Sequence, residues 1–367
     1  MLSRATLLSS LAFSAVSAVG CAGAPGAVPR DVPQTFSAES ELHVGTYTTC
    51  IVDGGKPVCF AVDSSEGSYD EAQTRRPAEL GFLGAVKRFA FNGSYGCAIT
   101  EDDKVACFEG SLGGELKAYH KAPYLDDKLG PPVMIAAGGD GFTNFGCVAD
   151  AEHRVDCFSD ALGPSPGSLP ADTKLVQMST GRSHMCGVTP EGGVLCWGSR
   201  DFGETGHEGY DTRAVEGLPG KALETSAGAG HSCARLEKGE IFCWGKNDSG
   251  QLGTGKAVAS SSKPEQVRGL SGAVRSIALG GQHSCALLES GSVECWGRNT
   301  GGVLGDGTDT DRAVPTGVLG ISDGLAIGVG QYQTCILRKG GKVTCFGMSE
   351  VMSGTFRLGA REGFMVR

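Results

Sequence analysis

The chain has 367 residues, of which 59 are glycine and 15 cysteine, and its 41 acidic and 32 basic side chains give a formal net charge of −9. An acidic chain without a basic run is a poor nucleic-acid binder, because that affinity rests on neutralising phosphates. Glycine at roughly twice its usual ~7% share suits a turn-rich all-β chain, and no segment after the N-terminus has the 18 uninterrupted apolar residues of a membrane-spanning helix.

Residues 1–20 read as a signal peptide: Arg4 supplies a positive start and "LLSSLAFSAVSAV" an apolar stretch too short for a typical span. The small residues of "SAVGC" before Cys21 resemble the lipobox of bacterial lipoproteins, in which that cysteine becomes the lipidated N-terminus. An ordinary cleaved signal with a chance cysteine beside it stays open at this stage. Residues 21–40, rich in Ala, Gly, Pro and Ser, read as a flexible tether, and Ala22 after the cysteine favours the outer membrane if the host is Gram-negative.

The other fourteen cysteines fall into pairs: Cys50/Cys59, Cys97/Cys107, Cys147/Cys157, Cys186/Cys196, Cys233/Cys243, Cys285/Cys295 and Cys335/Cys345. Six pairs are spaced by ten and the first by nine, and first members recur every 39 to 52 residues, the mark of a repeat architecture. Each second cysteine precedes a large aromatic: Phe60, Phe108, Phe158, Trp197, Trp244, Trp296 and Phe346. Apolar residues flank a turn such as "LEKG" between the cysteines, which reads as strand, tight turn, strand.

A ten-residue spacing with a three-residue loop requires a left-handed conformation at the sixth residue after the first cysteine. Gly192, Gly239, Gly291 and Gly341 stand there in the last four copies, and Asp103 and His153, which tolerate positive φ, in the second and third. The first copy is one residue shorter and has Gly54-Gly55, suited to a two-residue turn. Both loops place the cysteines opposite each other at a non-hydrogen-bonded pair, where α-carbons approach to about 4.5 Å. Cross-strand disulfides are expected, which implies an oxidising compartment. Zinc ligands ten apart on a hairpin would lack the short knuckle spacing of structural sites, and no metal site or cofactor is predicted.

Each repeat has room for about four strands: a small-residue strand such as "VRSIALG", the two cysteine strands, a Gly-rich segment such as "NDSGQLGTG", and a final extended piece such as "PEQVRGL". Seven such units predict an all-β, seven-bladed β-propeller over 41–367, with about four antiparallel strands and one cross-strand disulfide per blade. Approximate blades are 41–80, 84–130, 131–170, 172–219, 220–271, 272–322 and 323–367. The small-residue strand belongs innermost, where blades crowd the channel.

The stretches "GGQHSCALLESGSVECWGRNTGGVLGDGT" and "GAGHSCARLEKGEIFCWGKNDSGQLGTG" resemble the regulator of chromosome condensation repeat. The match is strong in the last four copies. The first three lose the Gly after the aromatic and carry inserts such as "SSEGSYDEAQTRRPAEL". The resemblance implies a seven-bladed propeller whose relatives include nucleotide-exchange factors, chromatin binders and, among secreted bacterial forms, an inhibitor that holds its enzyme with one face. The cysteine pairs depart from the eukaryotic pattern and look like an adaptation to export.

Catalytic patterns find little support. His184, His231 and His283 each stand two residues before a first cysteine, so they occupy equivalent blade positions around a ring, which predicts hydrogen bonding rather than a shared metal ion. "GPSPG" at 163–167 and "GISDG" at 320–324 match G-x-S-x-G, but prolines flank Ser165 and no helix follows Ser322. In "GDGTDTDR", Asp306, Asp309 and Asp311 miss the calcium-loop register and read as turn-forming.

The expected function is therefore that of a non-catalytic, lipid-anchored module of the cell envelope, monomeric, binding a protein or glycan through one propeller face. Loops on a rigid scaffold are where recognition residues sit, and aromatics and arginines often anchor interfaces. That singles out Tyr69, Arg75, Arg76, Tyr119 and Tyr124 in the irregular blades, with Phe202 and Tyr210 in the fourth blade's insert. The alternatives are an envelope enzyme acting on polysaccharide and a purely structural envelope protein.

Overall fold

In the computed structural model the described residues are 41–45, 48–62, 75–78, 80, 83–110, 116–118, 129–139, 144–159, 169–170, 172–207, 212–256, 258–348 and 357–358. They form seven antiparallel sheets, each built from consecutive strands in sequence order. Blade five is representative: Ala222–Ala227, His231–Leu236, Ile241–Lys246 and Ser260–Gln266, from the innermost strand outward. Six sheets have four strands, whereas the third has three among the described residues.

The hairpins follow the turn chemistry. In the strand register Cys50 lies directly opposite Cys59, Cys97 opposite Cys107, Cys147 opposite Cys157 and Cys186 opposite Cys196. Cys233 likewise faces Cys243, Cys285 faces Cys295 and Cys335 faces Cys345. All seven pairs are disulfides. Their Cα–Cα distances are 4.0 to 4.1 Å, somewhat shorter than the separation of about 4.5 Å expected for a non-hydrogen-bonded pair. The predicted left-handed positions all have positive φ, including the two that are not glycine, Asp103 at 62° and His153 at 65°.

The innermost strands run Glu41–Val44, Val86–Asn92, Pro132–Gly139, Gln177–Thr180, Ala222–Ala227, Val274–Leu279 and Gly324–Val329. Each packs against the next, and the last against the first, which closes the ring. Glycine is required where these strands turn around the channel mouth. A Cβ on Gly181, Gly280 or Gly330 would stand 2.2, 2.2 or 2.1 Å from the carbonyl oxygen of the neighbouring blade's Gly228, Gly330 or Gly45.

The hydrophobic core lies between blades rather than within them. In blades two to seven the aromatic after the second cysteine joins the cluster of the preceding blade: Phe108 packs with Cys50, Cys59 and Leu80, Phe158 with Cys97, Cys107 and Val105, and Trp244 with Cys186, Val188 and Cys196. Trp197 packs with Cys147 and Phe145, and the Cys157 end of that bridge, in the three-stranded sheet, is only partly buried against the same cluster. Trp296 packs with Cys233, Cys243 and Leu252, and Phe346 with Cys285, Cys295, Leu304 and Val318. In blade seven both Cys335 and Cys345 are buried. Burying an aromatic of this size against a neighbour is worth on the order of 2–3 kcal/mol per residue in apolar transfer alone, so the blades are joined chiefly by these rings.

Polar contacts run along the same seams. His184 Nε2 lies 2.8 Å from Ser232 Oγ of the next blade, His231 Nε2 2.9 Å from Ser284 Oγ, and His283 Nε2 2.9 Å from Thr334 Oγ1. Each hydroxyl donates its single proton to a backbone carbonyl, of Glu204, Gln251 and Val303 respectively. The hydroxyl can therefore only accept from the imidazole, which makes each histidine the neutral Nε2–H tautomer. Burial pushes His184 down to about 4, and His231 and His283 down to about 3. The histidines are thus inter-blade pins, as their equivalent positions predict. Blade seven has Gln333 at this place, and its Nε2 donates to Thr49 Oγ1 of blade one at 3.2 Å, continuing the ladder across the ring closure.

Among the described residues no helix is long and apolar enough to cross a membrane. Ser322 lies in the connection between Arg312–Gly317 and Gly324–Val329, with no helix after it. Asp306 is a turn-former: its Oδ1 accepts from the Thr308 N–H at 2.9 Å and its Oδ2 from Arg312 Nε at 2.7 Å.

Candidate functional site

Two kinds of loop meet on one propeller face: those joining the innermost strand to the second, and those that follow the third strand. In blades four to seven they enclose a cavity of about 350 Å³ beside the channel mouth. Its polar and aromatic lining comprises Arg182, Phe202, Lys246, Gln282, Arg298 and Tyr332. Gln331 and His283 also line it, and among the lining residues there is no carboxylate. A smaller cavity of about 140 Å³ shares Arg182 and Gln331 and extends across the mouth to Asn92 and Ser94 of blade two.

The loops that present these side chains are held rigidly. Phe202 is 42% exposed, yet its backbone N–H donates to the Glu204 carboxylate at 2.8 Å, and that carboxylate is buried and also accepts from Ser199 Oγ at 2.8 Å. The Glu204 carbonyl in turn accepts from Trp244 Nε1 at 2.9 Å, so the loop is tied to the blade-five core. Gly203 has φ of 80° and its Cβ position would fall 2.8 Å from Ser262, so only glycine allows this turn to lie against blade five. The Phe202 ring lies across Gly230, and Lys246 Nζ sits 5.0 Å from the ring centroid, within cation–π range.

Electrostatically the cavity is positive in an otherwise acidic chain. Lys246 pairs with Asp248 at 3.0 Å. Exposed Arg298 donates to Thr300 Oγ1 at 2.8 Å and to Gln282 Oε1 at 2.6 Å, both neutral acceptors, so its charge is uncompensated by these contacts. Arg182 is exposed on the rim between the two cavities. Such a site can orient a carboxylate or phosphate through planar guanidinium groups while an aromatic wall covers an apolar portion of the same ligand.

Of the residues singled out from sequence, Phe202 stands in this lining. Arg75 and Arg76 lie in the outer strand of blade one, Arg75–Ala78, opposite Val62 and Ala61, rather than in a connecting insert. They extend that sheet because the residues of Lys56–Val62 supply a ladder partner. Tyr69, Tyr119, Tyr124, Tyr210 and Cys21 lie outside the described residues, as does Ser165. The sequence reading missed Arg182, Lys246 and Arg298. The available signal was positional: Lys246 and Arg298 both follow the Trp-Gly pair in successive copies, and equivalent positions in adjacent blades become neighbours in a ring.

This geometry defines a seven-bladed repeat propeller with a ligand-sized recess on one face. The Regulator of chromosome condensation (RCC1) repeat matches residues 238–287, and a second form of the same repeat matches 175–204, 224–251 and 274–302. The chain thus carries regulator of chromosome condensation repeats within residues 175–302. Among curated proteins it is 35% identical over 266 residues to the human E3 ubiquitin-protein ligase HERC2, a match covering 64% of this chain and 5% of that protein. Among solved structures it resembles human WBSCR16, with a TM-score of 0.65, 18% identity, and coverage of 83% and 89% of the two chains. It also resembles Prp20p from Saccharomyces cerevisiae, a structure described together with its binding to Gsp1p and histones. That likeness has a TM-score of 0.64 and 16% identity, covering 85% of this chain and 83% of the other. These likenesses show the fold.

Proposed function

We propose that this chain is an exported, lipid-anchored, non-catalytic binding module that holds a protein partner on the face bearing the Phe202 cavity. The observation that carries the reading is a recess with an exposed aromatic and three cations, mounted on loops tied into the inter-blade core. A rigid scaffold presenting such residues loses little entropy on binding. Prp20p, a propeller of the same fold, is described as binding Gsp1p and histones, whereas HERC2 is matched over 5% of its length, so its ligase activity gives no guide to this chain. Export is supported by the leader-like N-terminus and by seven disulfides, which persist in oxidising compartments. Tyr69, Tyr119, Tyr124 and Tyr210 are proposed as further contacts for the same partner.

Affinity capture from envelope extract, with wild type beside Phe202→Ala, tests the binding reading. A partner enriched on wild type and depleted at least about fivefold on the variant is the expected result for an interface anchor. A partner retained equally by the variant, or none in repeated captures, counts against it. Detergent partitioning tests the anchor: wild type should enter the detergent phase and Cys21→Ser the aqueous phase. Wild type found in the aqueous phase would sink the lipid assignment.

A further inference from the structure

We propose that the cavity bounded by Arg182, Phe202, Lys246, Arg298 and Tyr332 is a docking site for a carboxylate-rich segment of a protein partner. This deepens the binding-module reading and rests on it.

Charge placement carries the argument. The chain has nine more acidic than basic residues, so composition alone does not favour a recess lined by cations without acids. This one is lined by three cations from three different blades and by no carboxylate. Two acids beside the lining residues are already committed. Asp248 is paired with Lys246, and buried Glu204 accepts from the Phe202 N–H and Ser199 Oγ. Arg298 is held by Gln282 and Thr300 with its charge unmatched, a pre-organised guanidinium of the kind that receives a carboxylate in bidentate fashion.

The remaining walls suit a polypeptide. Phe202 and Tyr332 flank the cations and can cover the aliphatic stem of a glutamate or an adjacent apolar side chain. Gln331 Nε2 donates to Tyr332 Oη at 2.7 Å, which fixes the tyrosine's orientation. Gly230 and Gly281 let the Phe202 ring and Gln331 pack directly against them, which draws the walls of the recess together. The acidic net charge of the chain disfavours an acidic segment on average, so a recess lined by cations without carboxylates adds selectivity as well as attraction.

The test uses fluorescence anisotropy with a labelled peptide of alternating Glu and Ser, its Gln-for-Glu counterpart, and polygalacturonate as an acidic glycan. The Glu peptide should bind at least about tenfold more tightly than the Gln peptide and weaken as salt screens the pairing. Arg298→Gln should lower its affinity about three- to fivefold, and Arg298→Gln with Lys246→Gln about tenfold or more, while Arg298→Lys restores only part of the single-variant loss, because an ammonium keeps the charge but not the bidentate pair. Arg298 is exposed and the Lys246–Asp248 pair is partly exposed, so the variants should melt within a few degrees of wild type. Equal binding of the two peptides overturns the proposal, and so does a double variant that binds like wild type. Polygalacturonate binding tighter than the peptide and displacing it overturns it in favour of a glycan. A partner captured from envelope extract equally by wild type and the double variant defeats the pocket but not the binding module. Capture of no partner, with the peptide results intact, defeats the wider reading and leaves the pocket standing.

Discussion

Replacing His231 by glutamine should leave stability near pH 7.5 almost unchanged and remove about a third of the histidine-linked loss in acid. Gln333 already performs the histidine's task at the seam between blades seven and one, donating through Nε2 to a threonine hydroxyl. His231→Gln can make the same bond to Ser284 without carrying a titratable ring. In the wild type, burial holds His231 down to about 3, and its Nδ1 has no hydrogen-bond partner among the described residues, so protonation meets no acceptor. An unfolded imidazole titrates near 6.5, so below that pH the unfolded chain binds the proton and the folded one does not, and stability falls with pH. At pH 5 the gap is about 1.5 pH units, or about 2 kcal/mol for this one residue. His184 and His283, depressed for the same reason, raise the sum to about 6 kcal/mol, comparable with the whole stability of a typical domain. The loss should be complete near pH 4 to 3, where the folded rings themselves protonate. Guanidinium unfolding of wild type and His231→Gln, disulfides intact, at pH 7.5 and pH 5 measures the difference. A variant that loses as much stability between the two pH values as wild type would refute the neutral buried ring.

Three other outcomes are expected. Alkylation of the unreduced, denatured chain should label none of the fourteen paired cysteines, as mass spectrometry of the modified peptides would show. Gly330→Ala should destabilise the fold by at least about 2 kcal/mol, since the new methyl meets the Gly45 carbonyl and packed backbone cannot yield cheaply; a calorimetric melt at wild-type temperature would contradict this. Trp296→Phe should cost about 1–2 kcal/mol, because the Gln251 carbonyl loses the indole donor at 2.9 Å, in a chemical denaturation series.

Much of this architecture is legible in the chain itself. Cysteine spacing and the sixth-position residue fix hairpin geometry because cross-strand pairing and loop length are linked arithmetically, and even His153 adopts the positive φ that its place demands. The pins at His184, His231 and His283 follow from equivalence of position. The cavity was not legible, because Arg182 and Arg298 lie far apart in the chain and come together only through the curvature of the ring. Ring curvature is a property of blade packing, which no single repeat encodes. Arg75 and Arg76 were misplaced for a related reason: in an irregular copy, an outer strand has no periodic apolar signal to distinguish it from its insert.

Every disulfide joins cysteines nine or ten residues apart, and every sheet is made of consecutive strands. Fourteen cysteines admit roughly 135,000 complete pairings, yet each native partner is the next cysteine along the chain. A polypeptide that emerges N-terminus first can therefore oxidise one hairpin at a time, before the thiols of later hairpins have arrived. Loop closure over so short a span is fast, so the correct pairing is favoured by order of emergence alone. The mature ring then carries no covalent record of its long-range arrangement: reducing agents would loosen blades singly, and the seams between them would part without breaking a bond.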